Sequence, residues 1–168
     1  MKKALSLFAV ALLLAACGNG SASIATPNPE VTDQPTAAPT QPAATVGDQL
    51  IWDDMKMTFE EVENWAGISE YFAPDEGNKY ITVLITVEAL VDGISYNTLY
   101  FTLSTPEGYT YLPSIWSRDP DLGSSNELSA GRKAKGWVTF EIPKSETSFF
   151  LVLDDYTHSA EWTFTIAK

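Results

Sequence analysis

The sequence predicts an all-β domain, a two-sheet β-sandwich of about seven or eight strands, behind a short leader and a polar linker. Three observations predict it. Apolar and polar residues alternate at period two in four separate segments between residue 79 and residue 166. Turn formers punctuate those segments, as at Pro106-Glu107-Gly108. Nineteen of the twenty aromatic residues fall within residues 46–168, a stretch the size of one domain with enough apolar material for a core without disulfides.

The leader comes first. Met1-Lys2-Lys3 supplies positive charge, and residues 4–14 (ALSLFAVALLL) supply an apolar run too short to span a bilayer, which takes about 20 residues. Leu14-Ala15-Ala16-Cys17 resembles the lipobox of bacterial lipoproteins. The resemblance implies that residues 1–16 are a signal peptide removed before Cys17, and that Cys17 is acylated on its thiol and amine. Several acyl chains anchor stably where one binds reversibly. The expected location is therefore the extracytoplasmic side of the cell membrane, with the lipid anchor as the membrane contact. Cys17 is the only cysteine, so once lipidated it leaves no thiol for a disulfide, redox switch or metal site.

Residues 17–45 form a linker. Pro27, Pro29, Pro35, Pro39 and Pro42 stand among Thr, Ala and Gln, with no aromatic residue and only Glu30 and Asp33 charged. Such a composition buries too little apolar surface to offset ordering entropy and favours extended, polyproline-like disorder. At about 3.1 Å per residue it would reach roughly 85 Å.

Residues 46–168 carry the strands. In 79–91, Ile81, Val83, Ile85, Val87, Ala89 and Val91 share one face and Tyr80, Thr82, Thr86 and Glu88 the other. Leu99, Phe101 and Leu103 alternate with Tyr100, Thr102 and Ser104, and 109–112 reads as the returning hairpin arm. Ala134, Gly136, Val138, Phe140 and Ile142 alternate with Lys135, Trp137, Thr139 and Glu141. Residues 149–153 form a continuous apolar run, and Ala160, Trp162, Phe164 and Ile166 alternate with polar neighbours to close the domain. Residues 50–52, a turn at Asp53-Asp54 and Met57 onward make the opening pair. Residues 58–66 admit two readings. Thr58 and Glu61 fit a helix capping box, whereas a strand puts Met57 and Phe59 in phase and needs a bulge to include Val62; the strand is preferred.

Two signatures then carry a resemblance. One is Val46-Gly47-Asp48 followed by Pro74-Asp75-Glu76-Gly77-Asn78-Lys79-Tyr80 leading into a long alternating strand. The other is Leu128-Ser129-Ala130-Gly131 before Gly136-Trp137-Val138-Thr139-Phe140-Glu141-Ile142-Pro143. Together they resemble the bacterial immunoglobulin-like domain of unknown function found on secreted lipoproteins, whose fold is shared with a small secreted mycobacterial antigen. The resemblance implies an immunoglobulin-like sandwich and brings no catalytic residues. One departure is Ala89-Leu90, where such domains often carry Asn after the long strand.

Composition narrows function. Residues 46–168 hold 20 acidic and 8 basic residues, a net charge of −12 that repels nucleic acid and anionic headgroups and favours a cationic partner. No G-x-S-x-G motif occurs, and the single histidine, His158, reads as an exposed turn residue without a serine to activate. One imidazole and a lipidated cysteine cannot make a zinc or copper site. Asp119, Asp121, Gly123, Ser125 and Glu127 recur at alternate positions, but Ser124 and Ala130 stand where a calcium loop needs its glycine and bidentate glutamate. Glu60-Glu61 would face opposite sides of a strand and could not act as a catalytic pair. Arg132, Lys133 and Lys135 read as solvated charges at the start of a strand. The expectation is thus no enzyme, no cofactor and no resident metal.

Residues 112–131 are long for a sandwich loop, and long ordered loops more often carry function. Trp116, Arg118, Asp119 and Asp121 are the candidate contacts for a protein partner in the envelope or outside the cell, since Trp and Arg are enriched at binding hot spots; Trp116 could instead plug an end of the core. The expected function is a lipid-anchored immunoglobulin-like interaction module. The alternatives are a structural spacer of the envelope, a small solute-binding lipoprotein, for which one domain supplies no second lobe, and a calcium-dependent adhesin.

Overall fold

The computed structural model describes residues 44–123 and 126–167; the leader, Cys17 and the linker up to residue 43 lie outside the described residues. The alternating segments pair into strands: β1 (Ala44–Thr45), β2 (Gln49–Ile51), β3 (Met55–Trp65), β4 (Asn78–Ala89), β5 (Ile94–Tyr96), β6 (Phe101–Ser104), β7 (Thr110–Tyr111), β8 (Asn126–Leu128), β9 (Lys133–Pro143), β10 (Ser148–Asp154) and β11 (Ser159–Thr165). One sheet runs β1-β11-β10-β6-β7 and the other β2-β3-β4-β9, with β5-β8 as a separate ribbon. The result is the expected β-sandwich. Among the described residues it has eleven strands rather than seven or eight, because three segments of two or three residues (β1, β5 and β8) pair locally where sequence shows no alternation, whereas β7 is the expected hairpin arm.

The long strands hold the core. Ile81, Val83, Ile85, Val87 and Ala89 of β4 are fully buried, opposite Phe101, Leu103, Phe149, Leu151, Leu153 and Trp162 of the facing sheet. Each such side chain contributes about 1.5–3 kcal/mol on burial. Val91, expected on that face, is exposed because β4 ends at Ala89. Leu99 is also misplaced by alternation. Residues Thr98–Tyr100 form a 3-10 turn capped by the Asn97 side chain, which accepts from the Leu99 N–H at 2.9 Å, and Leu99 is thrown outward.

β3 is a strand, and it contains the bulge that this reading required. Phe59 pairs with Ile85 and Glu61 with Leu84, so Glu60 is the extra residue. The shift returns Val62 to the core side. It also places Glu60 and Glu61 on the same outer face, overturning the expectation that they point apart. Glu60 accepts from the Thr86 hydroxyl at 2.5 Å and pairs with Lys135, while Glu63 raises the pKa of Glu61.

Part of the second face of the β2-β3-β4-β9 sheet is buried as well: Tyr80, Thr82, Leu84, Trp137 and Thr139 are covered there, while Thr86, Glu88 and Lys135 on the same face reach solvent. Period two separates two faces; it does not show that loops cover the second one.

Candidate functional site

Residues 112–122 arch along the free edge of β9. Pro113 bridges Phe140 and Asp121 bridges Trp137. The Ser114 N–H donates to the Thr139 carbonyl at 2.7 Å, the Trp137 N–H to the Pro120 carbonyl at 2.8 Å, and the Leu122 N–H to the Trp137 carbonyl at 3.1 Å. The Ser117 hydroxyl adds a bond to the Trp137 carbonyl at 3.1 Å. The long loop expected at 112–131 is, over 112–122, an ordered cover for a strand edge, a common way of blocking edge-to-edge association. Leu122 closes it by inserting into the core.

Gly136 makes this contact geometrically possible. A Cβ there would lie 2.3 Å from Leu122 N and 2.6 Å from Asp121 C, distances that no side chain tolerates. The glycine is needed because two backbones touch, a reason that alternation alone does not reveal.

Between the arch and the Thr98–Tyr100 turn lies a groove of about 270 Å³, lined by Leu99, Pro113, Ile115, Asp121 and Val138 with the hydroxyl residues Thr98, Ser114, Ser117 and Thr139. Ile115 is 87% and Leu99 69% exposed. Sequence reasoning missed both. Leu99 fits a strand phase, and Ile115 stands next to the more conspicuous Trp116.

The four candidate residues divide. Trp116 is 37% exposed and packs at a tilt against Phe72 with ring centroids 4.2 Å apart, so it braces the arch on the outside and plugs no end of the core. Arg118 places its guanidinium carbon over the Trp137 ring, 4.3 Å from the centroid, and pairs with Glu63. Its guanidinium is thus engaged within the domain. Asp119 precedes a cis peptide to Pro120. Asp121 alone of the four lines the groove.

Ion pairs cover the outer face of the β3-β4-β9 region. The Arg118 hydrogen bond, reinforced by Glu61, holds the Glu63 pKa below its ordinary value, and contact with Glu63 raises that of Glu61. Lys135, then Thr86, lower the pKa of Glu60. Lys133 approaches Glu88 to 3.0 Å and lowers its pKa, with Lys56 at 3.6 Å on the same carboxylate. Lys133 and Lys135 are therefore paired, not merely solvated as their position implied.

His158 is not an exposed turn residue. Its side chain is 10% exposed, and both ring nitrogens meet carboxylates: Nδ1 to Asp155 Oδ2 at 2.9 Å and Nε2 to Asp54 Oδ1 at 2.9 Å. Burial pulls its pKa down, but the hydrogen bonds and charges of Asp155 and Asp54 prevail and raise it above 6.5. For Asp155, burial acts upward and is outweighed by bonds from the His158 and Thr157 N–H groups and the His158 ring, so its pKa lies below 3.8. Trp52 packs edge-on against the imidazole, with centroids 5.3 Å apart. The triad ties the β10–β11 turn of one sheet to the β2–β3 turn of the other.

Among the described residues, no three His, Cys, Asp or Glu side chains are grouped to hold a metal ion. The alternating acids considered for calcium are separated by pairing: Asp121 bridges to Trp137, Glu127 sits in β8 opposite Ser95, and Ser125 lies outside the described residues.

These features define an immunoglobulin-like β-sandwich whose distinctive surface is an arch and groove beside β9. The chain belongs to a family described as a domain of unknown function, DUF4352, which matches residues 44–162. The secreted protein MPT63 of Mycobacterium tuberculosis shares the fold, with a TM-score of 0.57 at 12% identity over 74% of this chain and 96% of that one. The yjhA protein of Bacillus subtilis does so with a TM-score of 0.57 at 18% identity, over 74% of this chain and 99% of that one. The Bacillus subtilis protein ycdA, described as a lipoprotein candidate, matches with a TM-score of 0.57 at 14% identity, over 70% of this chain but 38% of its own. A search of curated proteins finds no match.

Proposed function

We propose that this chain is a lipid-anchored, extracytoplasmic binding module, without enzymatic activity, that meets a protein partner through the groove beside the 112–122 arch. One observation carries the proposal. Ile115, 87% exposed, stands on an arch pinned to β9 by hydrogen bonds of 2.7–3.1 Å, and Leu99, 69% exposed, faces it from the turn that Asn97 caps. Exposed apolar side chains on a rigid support lose little entropy on binding, which is where interface energy concentrates. Anchoring rests on Lys2-Lys3, the apolar run and Cys17. A secreted mycobacterial protein and a lipoprotein candidate of the same fold are consistent with an extracytoplasmic address. The Ser114, Ser117 and Thr139 hydroxyls and the Arg118 guanidinium are engaged in structural bonds, which supports recognition over catalysis.

The test uses the mature chain from residue 17 with Cys17→Ser, so that it is soluble, as bait for envelope extract. A partner retained by this chain and lost on adding Ile115→Asp is the expected result. Equal retention by both chains contradicts the proposed surface, and no retained partner at all favours a spacer domain.

A further inference from the structure

The groove carries a charge pattern that narrows what it binds. Four basic residues of the domain, Lys56, Arg118, Lys133 and Lys135, are spent on Glu88, Glu63 and Glu60 across the outer face of the β3-β4-β9 region. Among the described residues, none lining the groove is basic, and the one charged residue is Asp121. No ion pair or side-chain hydrogen bond occupies the Asp121 carboxylate among the described residues, whereas its backbone is held at Trp137. The Asp121 backbone is thus held beside the groove, and no described residue engages its acceptor oxygens.

Volume and lining act together with that charge. About 270 Å³ falls below the range of pockets that enclose a whole drug-sized molecule, roughly 300–1,000 Å³, and accommodates a single long side chain. Leu99, Pro113, Ile115 and Val138 form an apolar wall that leads to Asp121. Lysine and arginine have this construction, an apolar stem with a charged head. The whole 46–168 segment, at net −12, would also speed the approach of a basic segment.

Resting on the binding-module reading, we infer that the groove beside the 112–122 arch takes a lysine or arginine side chain from an extended basic segment of a protein partner, with Asp121 receiving the cationic head and Leu99 and Ile115 clasping the stem. An acidic domain attracts any polycation, so specificity is the point to test. Ile115→Asp separates the two cases, because it makes the chain more acidic while removing an apolar wall; at 87% exposure, Ile115 is not needed for folding.

The probes are three synthetic decapeptides in which leucine alternates with lysine, glutamine or glutamate. They are titrated against the mature chain from residue 17 carrying Cys17→Ser, with amide chemical shifts read by NMR. The expected result is saturable binding of the lysine peptide, shifts concentrated at Leu99, Ile115 and Asp121, and a loss of at least about fivefold in affinity with Asp121→Asn and with Ile115→Asp, the change that about 1 kcal/mol produces. Unchanged or tighter binding by Ile115→Asp overturns the inference in favour of diffuse charge attraction. Equal binding of the glutamine peptide overturns the cationic preference and leaves the binding-module reading standing. If no peptide moves the groove resonances while partner capture still depends on Ile115, the inference fails alone; if capture does not depend on Ile115 either, the reading beneath it fails too.

Discussion

His158 Nε2 and Asp54 Oδ1 lie 2.9 Å apart and join the turn between β10 and β11 to the turn between β2 and β3, one from each sheet of the sandwich. With Asp155 on the other ring nitrogen, both N–H groups of an imidazolium have carboxylate acceptors. The charged form is therefore the one the fold favours.

Stability should follow that charge. The folded-state pKa of His158 is raised, so its contribution is fully present below its unfolded value, about 6.5, and is lost as pH rises through the folded value. Asp155 is lowered, so its contribution is present above about 3.8 and is lost as pH falls through the folded value. Denaturant unfolding of wild type against His158→Gln should give the largest difference between about pH 4 and 6.5, on the order of 1.5–3 kcal/mol for hydrogen bonds to charged groups. The difference should shrink as pH rises above that window. A difference that is flat, or grows, from pH 6 to 9 would mean that the imidazole is neutral in the fold.

Gly136→Ala is predicted to lift the arch from β9. Its Cβ would meet Leu122 N at 2.3 Å, and backbone on both sides leaves no flexible group to yield. Overpacking of this kind costs roughly 1–3 kcal/mol. Hydrogen exchange should show lost protection at the Ser114, Leu122 and Trp137 amides before other β9 amides. Unchanged protection would show that the close approach can relax.

Tyr156 adopts a φ of +72° at 96% exposure, on the turn fixed by Asp154 and Asp155. A left-handed conformation costs an ordinary side chain about 1 kcal/mol and glycine almost nothing. Tyr156→Gly should therefore raise the melting temperature slightly or leave it level. A fall of several degrees would show that the edge-on contact with Tyr100, with centroids 6.4 Å apart, outweighs the strain.

Alternation showed the sandwich because β4, β9 and β11 each bury one face on a shared core, and burial of one face is what period two encodes. It placed Leu99 wrongly because Asn97 caps a short turn that resets the phase, a local hydrogen bond with no hydropathy signal. It could require a bulge in β3 from the phase of Val62, yet not the consequence that Glu60 and Glu61 come to share a face. Residues 112–131 were recognisable as unusual by length. Which side chains point outward depends on pairing with β9, whose partners lie some 20 residues away in sequence, and so Ile115 stayed hidden behind Trp116. His158 was misread for the same reason, since Asp54 is 104 residues distant.

Whether the groove beside the arch is where this domain meets its partner is read most directly by site-specific photocrosslinking in living cells, with the full chain carrying a photoreactive amino acid at Ile115 or, as a control, at Thr163 on the outer face of the opposite sheet. A discrete crosslinked protein is expected from position 115 and none from position 163. Crosslinks of equal strength from both positions, or from position 163 alone, would place the partner elsewhere.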